Sequence, residues 1–262
     1  MAELVDAQVS EACCREAVEV RFFSSAPKKQ SRVKSRESKV RFGSRPVFKG
    51  NVMNSRDELI KALESNELTF GLDLSTEQIE RLADYCDLVQ KHNPLLHLVG
   101  PCMPEEFAVR HILESLTLLE HLPTNSKFVD VGAGAGLPSI PCLIVRDDLR
   151  ATLIESKGKK AGFLQTAIAK CKLYGRAEVI NQQFFEAKKP DVSFVTCRAL
   201  DKFTEKLPQL LKWSGDCILL FFGGPALRSA MRKHVLVRHE RLMPLSEQRY
   251  LFVAENRIKK NK

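Results

Sequence analysis

The sequence predicts an α/β protein with a doubly wound, mostly parallel sheet, and two observations indicate it. From residue 127 onward, short apolar strands alternate with amphipathic helices, which is typical of a parallel sheet with helices on both faces. The last two strands are separated by Pro244-Leu245-Ser246 and have the form of a hairpin, so we expect an antiparallel edge. Helical patterns precede the first strand, and a helical N-terminal section is therefore expected as well.

The composition is that of a soluble globular protein, with 44% hydrophobic and 28% charged residues in 262. No apolar run approaches the roughly 18 residues that a membrane-spanning helix needs, so we expect no membrane association. The eight cysteines form no CxxC pair, which argues against a zinc or redox site. Reduced cysteines in a core are typical of a cytoplasmic protein, and no metal is expected.

Residues 1–54 are expected to form a disordered basic leader. Residues 1–56 carry 12 Lys and Arg against 6 Asp and Glu, so most of the net charge of +9 lies there. The stretch between Ser24 and Lys49 has neither helical nor strand periodicity. Residues 4–27 resemble a conceptual translation of a transfer-RNA gene, which predicts that the leader is not native and that Met53 is the start. Residues 257–262 form a basic tail.

Three helices are expected in the N-terminal section, residues 55–123. The patterns Ser55-x-x-Glu58 and Ser75-x-x-Gln78 are typical of capping boxes and predict two helix starts. Pro104, followed by two acidic residues, predicts the third start, because proline and acidic side chains both favour a first helical turn.

The main domain is expected over residues 124–256. Its predicted strands are 127–131, 151–154, 177–180, 191–197 and 216–222, with a hairpin of 235–243 and 248–254; its predicted helices are 137–145, 157–173 and 202–212.

A glycine-rich loop follows the first strand. Gly132, Gly134 and Gly136 permit a tight turn and a close approach of backbone to a ligand, just before a helix start. A dinucleotide fingerprint needs G-x-G-x-x-G/A, and here its last position is Leu137. The loop therefore predicts a nucleoside-like ligand and disfavours a dinucleotide.

Two carboxylates beside this loop favour S-adenosylmethionine. Asp130 stands two residues before the first glycine and suits a ligand that carries an ammonium group. Glu155 ends the second strand, where a carboxylate can accept hydrogen bonds from both ribose hydroxyls. S-adenosylmethionine has a ribose, an amino-acid tail and no phosphate, so it fits the loop and both carboxylates.

Five motifs occur in order along the chain: His97-Leu98-Val99; Arg110-His111-Ile112-Leu113-Glu114-Ser115-Leu116; the segment 130–141, which ends in Gly136-Leu137-Pro138-Ser139-Ile140-Pro141; Leu153-Ile154-Glu155-Ser156 with Gly158-Lys159-Lys160 and Phe163-Leu164; and Cys197-Arg198-Ala199. Together they resemble the ribosomal RNA small-subunit methyltransferase G family, also called glucose-inhibited division protein B, over residues 55–255. The resemblance implies a bacterial, cytoplasmic Rossmann-like enzyme that uses S-adenosylmethionine to methylate N7 of a guanine in 16S rRNA.

The resemblance also implies a cofactor site. Gly132 and Leu137, with Asp130, Gly134 and Gly136, would surround the methionine and ribose parts, and Glu155 would bind the ribose. Phe184 and Phe185 would lie beside the adenine, and Arg198 near the sulfonium.

The chain departs from the family pattern at three places. His97-Leu98-Val99 replaces Asn-Leu-Thr, and Phe184-Phe185 replaces Ala-Glu. Gly223-Gly224 lacks the lysine that the family has there, which puts RNA contact in doubt unless Arg228, Arg232 or Lys233 replaces it.

Guanine N7 carries no proton, so methyl transfer to it needs no strong general base, and no catalytic residue is assigned. Arg110, His111 and Arg198 are candidates for positioning the reactants. Lys157, Lys159 and Lys160 open the helix after Glu155 and are candidate phosphate contacts.

The expected partner is ribosomal RNA or the small ribosomal subunit, and the expected state is a monomer. Two other classes stay open: a nicotinamide-dependent oxidoreductase, and a catalytically silent RNA-binding or ribosome-assembly protein that keeps the cofactor fold.

Overall fold

A computed structural model describes residues 52–256 of the protein. The predicted leader and basic tail lie outside the described residues, except for residues 52–54, which begin the first helix. Within the described range, no helix is long and apolar enough to span a membrane.

Two regular helices open the described chain. Helix α1 spans Val52–Asn66, so Ser55 lies inside it and the predicted capping box at Ser55 is wrong. Helix α2 spans Thr76–Leu96, and its predicted capping box is confirmed. There the backbone N–H of Gln78 donates to Ser75 Oγ at 3.2 Å, and the N–H of Ser75 donates to Gln78 Oε1 at 2.8 Å.

The third helical segment, α3, changes its hydrogen-bonding pattern along its length. It consists of an α-helical turn (Pro104–Phe107), a π-helical turn (Ala108–Leu113), a second α-helical turn (Glu114–Leu116) and a 3-10 turn (Thr117–His121). The π turn contains Arg110 and His111. Single π turns inside helices occur frequently at functional sites.

The rest of the chain alternates strands and helices, as predicted. The strands are β1 (Lys127–Val131), β2 (Arg150–Ile154), β3 (Ala177–Ile180), β4 (Phe194–Arg198), β5 (Ile218–Gly223), β6 (Val235–Leu242) and β7 (Tyr250–Asn256). The helices are α4 (Ser139–Val145), α5 (Gly158–Lys170), α6 (Phe203–Ser214) and α7 (Pro225–His234).

The strands form one sheet in the order β3-β2-β1-β4-β5-β7-β6. Strands β1 to β5 pair in parallel, and β7 pairs antiparallel with both β5 and β6. The prediction of a mostly parallel sheet with an antiparallel C-terminal hairpin is confirmed. The hairpin's second strand, β7, is inserted beside β5, which leaves β6 at the edge.

Helix α7 was missed by the sequence analysis, which assigned no element to Pro225–His234. Pro225 occupies the first turn, which is a helix-start signal, but the segment is short and dominated by basic residues. Leu227 and Met231, four residues apart, give it a narrow buried face.

Alternating side chains of the sheet enter two cores, one on each face. In β1, Phe128 joins the core formed with α1 to α5, whereas Val129 and Val131 join the core formed with α6 and α7. Asp130 therefore points to the same face as Phe128, as the two-residue period of a strand requires.

Candidate functional site

A cavity of about 410 Å³ lies at the carboxyl ends of β1, β2 and β4. The strand order reverses between β1 and β4. Strands β2 and β3 lie on one side of β1, whereas β4 and β5 lie on its other side. Ligands of open α/β sheets bind at such a switch point. The predicted site residues that line this cavity are His111, Gly132, Gly134, Leu137, Glu155, Phe184 and Arg198.

The backbone N–H groups of the glycine loop donate hydrogen bonds mainly to carbonyl groups of β2 and of the loop itself. Gly132, Gly134 and Gly136 have φ angles of 74°, 55° and 91°, in the left-handed region that favours glycine. The N–H groups of Gly132 and Ala133 both donate to the carbonyl of Ile154, at 2.9 and 3.1 Å. The N–H of Gly136 donates to the carbonyl of Ala133 at 2.6 Å. These donors are therefore not available to a phosphate.

Glu155 presents a fixed carboxylate to the cavity. Its side chain is buried, and its two oxygens each accept one backbone hydrogen bond, Oε2 from Gly134 at 3.0 Å and Oε1 from Lys157 at 2.8 Å. The side-chain amide of Asn181 donates to the backbone carbonyl of Glu155 at 2.8 Å. A carboxylate oxygen has two lone pairs, so each oxygen keeps acceptor capacity for a ligand hydroxyl.

Gly132 and Gly136 need the absence of a side chain for different reasons. A Cβ at Gly132, which lines the cavity, would lie 2.7 Å from Leu200 Cδ1. A Cβ at Gly136 would collide with Ile140 of α4. Gly136 therefore permits close packing of the loop on α4 and does not itself line the cavity; its contact with the cofactor stays a prediction.

Asp130 lies behind the cavity wall, although it was predicted to bind the cofactor. It is fully buried, and the hydroxyl of Ser139 donates to its Oδ2 at 2.6 Å, whereas its Oδ1 has no hydrogen-bond partner among residues 52–256. Burial, opposed by the hydrogen bonds from Ser139 and aided by the charge of Glu155, raises the pKa of the Asp130 carboxyl to about 7. Asp130 is thus a buried residue of β1 that is hydrogen-bonded to the start of α4.

Two of the three residues predicted to position the reactants line the cavity, and the third does not. Arg198, at the end of β4, and His111 line the cavity, whereas Arg110 forms an ion pair with Glu106 one turn away on its own helix. Burial, together with the charges of Arg198 and Arg110, lowers the pKa of His111 to about 3. His111 is therefore a neutral imidazole at neutral pH.

The two phenylalanines after β3 face different surroundings. Phe184 is buried and lines the cavity, and its ring contacts that of Phe185 at a centroid distance of 5.4 Å. Phe185 is 43% exposed and does not line the cavity, and its place beside the adenine stays a prediction.

Five polar cavity residues were given no role from the sequence. Ser156 follows β2, Gln182 and Gln183 follow β3, Asp201 follows β4, and Lys206 lies in α6. For the first four, the position after a parallel strand was the available signal, because the carboxyl ends of such strands meet at one edge of the sheet. Lys157 and Lys160, predicted as phosphate contacts, also line the cavity.

Comparison with known proteins places the chain in a protein family. A sequence model of the GidB family, described as rRNA small subunit methyltransferase G, matches residues 78–254. The ribosomal RNA small subunit methyltransferase G of Neisseria meningitidis serogroup C is 34% identical over 156 residues, which cover 60% of this chain and 73% of that protein. The protein of the same name from Yersinia pestis (strain Pestoides F) is 40% identical over 107 residues, covering 41% of this chain and 52% of that protein.

Among solved structures, M. jannaschii TYW2 in complex with AdoMet is 16% identical, with a TM-score of 0.45, and the match covers 56% of this chain and 76% of that one. The resemblance stated from the sequence motifs is confirmed by the family match. The chain belongs to the rRNA small subunit methyltransferase G family, a family of S-adenosylmethionine-dependent methyltransferases of ribosomal RNA.

Proposed function

We propose that this chain transfers the methyl group of S-adenosylmethionine to N7 of one guanine in 16S rRNA. The observation that carries this proposal is the fixed carboxylate of Glu155 at the switch-point cavity, beside a glycine loop whose N–H groups are already bonded. Such a site suits a ligand with ribose hydroxyls and no phosphate.

The residues around the cavity fit S-adenosylmethionine. Glu155 would accept the ribose hydroxyls, Gly132 leaves room for the ligand beside Leu200, and Leu137 and Phe184 offer apolar surface. When bound, the cofactor supplies a methyl group made electrophilic by its sulfonium sulfur.

The remaining tasks of the protein are binding, orientation and exclusion of water. N7 of guanine carries a lone pair and no proton, so no side chain has to remove a proton before transfer. The neutral His111 is consistent with this, because a pKa of about 3 makes it a poor base. Holding the reactants in line within a closed site can supply a large part of the rate enhancement.

A nicotinamide dinucleotide fits the same site poorly. The phosphates of such a cofactor are bound by free N–H groups of the glycine loop, whereas Gly132, Ala133, Gly134 and Gly136 donate theirs within the protein. A pyrophosphate placed there would also meet the negative charge of Glu155.

One observation keeps a silent RNA-binding protein as the second candidate. The family's lysine is absent at Gly223-Gly224, and two of its suggested replacements are engaged elsewhere, because Arg228 and Arg232 both form ion pairs with Glu240, at 2.6 and 3.2 Å.

That the protein acts as a monomer, in the cytoplasm and without a metal stays a prediction.

The test uses 30S subunits from a strain that lacks this gene. They are incubated with the full chain and S-adenosylmethionine labelled at the methyl group, and rRNA fragments are analysed by mass spectrometry. We expect one new N7-methylguanine in each 16S rRNA. Cofactor binding without incorporation supports the silent protein, and methylation at another atom or in another RNA overturns the proposed target.

A further inference from the structure

One buried carboxylate links Arg198 of the cavity wall to the C-terminal hairpin. Glu114 of α3 is only 2% exposed. Its Oε1 accepts a hydrogen bond from Nε of Arg249 at 2.6 Å, and its Oε2 lies 3.4 Å from Nη2 of Arg198. Arg249 directly precedes β7 and Arg198 ends β4, so Glu114 joins two parts of the sheet through α3.

Among residues 52–256, all hydrogen-bond acceptors of the Arg198 guanidinium belong to helix α3. Besides Glu114, these are Ser115 Oγ at 3.0 Å and the carbonyl oxygen of Arg110. The carbon of the guanidinium also lies 5.6 Å from the centre of the Phe222 ring, on the neighbouring strand. Arg198 is therefore held from one side by α3 and from another by β5.

Glu114 supplies the negative charge that both arginines share. The side chain of Arg198 is 13% exposed and that of Arg249 is 32% exposed, and both guanidinium groups pair with the buried carboxylate of Glu114. A largely buried cation is stable only when it is paired and hydrogen-bonded. Removing the carboxylate would leave Arg198 without its charged partner, and its guanidinium would be free to shift into or away from the cavity.

We infer that Glu114 is a positioning residue for methyl transfer, which acts by holding the guanidinium of Arg198 at the cavity wall. Glu114 does not line the cavity, so it would act through Arg198. The inference rests on the proposed function, since its main measure is the rate of methyl transfer.

A purely structural role for Glu114 is the competing explanation, and the chain contains a matched control for it. Glu120, also in α3, forms an ion pair with Arg241 of β6. Both pairs connect α3 to the C-terminal hairpin, but only Glu114 also reaches Arg198. Glu120→Gln therefore removes a more exposed connection between the same two parts of the fold and leaves Arg198 in place.

The experiment is a double-mutant cycle in the full chain. We expect Glu114→Gln to lower kcat on 30S subunits by about tenfold to a hundredfold, which corresponds to the loss of one hydrogen bond to a charged group. Glu120→Gln is expected to retain kcat within about twofold, because exposed ion pairs contribute little. In an Arg198→Met background, Glu114→Gln should cause no further loss, since both changes act through one side chain.

Several outcomes overturn the inference: equal loss of kcat in both glutamate variants, no loss in either, or losses by Glu114→Gln and Arg198→Met that multiply in the double variant. If Glu114→Gln does not fold, judged by its thermal melt, Ser115→Ala replaces it in the same cycle, because it removes a second acceptor of Arg198 with little change in volume. An inactive wild-type chain would count against the proposed function instead, so the two failures are distinguishable.

Discussion

Gly132 lines the cavity, and a side chain at this position would collide with another cavity-lining residue, Leu200. Its φ of 74° is unfavourable for other residues, and a Cβ there would lie 2.7 Å from Leu200 Cδ1. Any larger side chain must displace Leu200 or extend into the space that the proposed cofactor occupies.

We therefore expect Gly132→Arg to abolish binding of S-adenosylhomocysteine, measured by isothermal titration calorimetry. The control is Gly162→Arg in α5, where a Cβ meets no other atom within 4 Å. That variant should bind like the wild type. Retained binding by a folded Gly132→Arg protein would contradict the placement of the cofactor beside this loop.

Asp130 makes stability depend on pH in a direction that is unusual for a carboxylate. Burial raises its pKa from 3.8 to about 7, so the folded protein holds the proton more tightly than the unfolded chain does. Its contribution to stability is complete below about pH 4 and is lost as the pH rises to about 7.

Asp130→Asn removes this titration. Between pH 4 and 7, the free energy of unfolding of the variant should rise relative to that of the wild type by up to about 1.4 kcal/mol for each pH unit. Urea denaturation at several pH values measures the difference. Asp148→Asn is the control: hydrogen bonding to Arg146 holds the Asp148 pKa at about 2, so above about pH 5 both the folded and the unfolded wild type have this group ionised and no trend is expected. A flat difference for Asp130→Asn would refute the raised pKa.

At the scale of single elements, the start of α2 offers a direct measure of how a local sequence signal contributes to stability. Replacing Ser75 by Ala removes the acceptor for the N–H of Gln78 and should lower the free energy of unfolding by about 1 kcal/mol. Ser65→Ala is the comparison, because the Ser65 hydroxyl only donates to the carbonyl of Lys61 in its own helix and should matter little. Equal effects of the two changes in urea denaturation would argue against the cap.

Elements with local signals were predictable from the sequence, and those without were not. Strand β1 was predicted at its observed bounds, and the capping box located α2, because apolar runs and caps act over a few neighbouring residues. Helix α7 was missed because its buried face is only two residues wide. At Ser55 the cap pattern misled, since the helix had already begun at Val52.

The candidate site was likewise predictable only where its residues carry a local sequence signal. Glu155 and Gly132 were predicted in the site because each stands at the end of a predicted strand, and strand ends meet at one edge of the sheet. The contact of Glu114 with Arg198 joins residues 84 positions apart, and it depends on how α3 crosses the end of β4. The π turn that precedes Glu114 changes which side chains face the sheet, and no sequence periodicity indicates it.

The whole molecule brings the site together at the junction between β1 and β4, and ligand binding there should stabilise the entire fold. A ligand that binds only the folded state at a hundred times its Kd adds about 2.7 kcal/mol to the free energy of unfolding. For a domain of this size, that corresponds to a rise in Tm of roughly 5 to 10 °C.

We expect S-adenosylhomocysteine to raise the Tm of the full chain in this way and NADH to leave it unchanged. The difference follows from the loop, whose N–H groups are bonded to Ile154, Ala133 and Glu155, and from the carboxylate of Glu155, which attracts hydroxyls and repels phosphates. Differential scanning calorimetry with each ligand measures the shift, and Gly132→Arg serves as the variant in which the response to S-adenosylhomocysteine should disappear. A rise in Tm with NADH alone would instead support the oxidoreductase. It would mean that the N–H groups of the loop exchange their internal hydrogen bonds for bonds to the pyrophosphate of the dinucleotide.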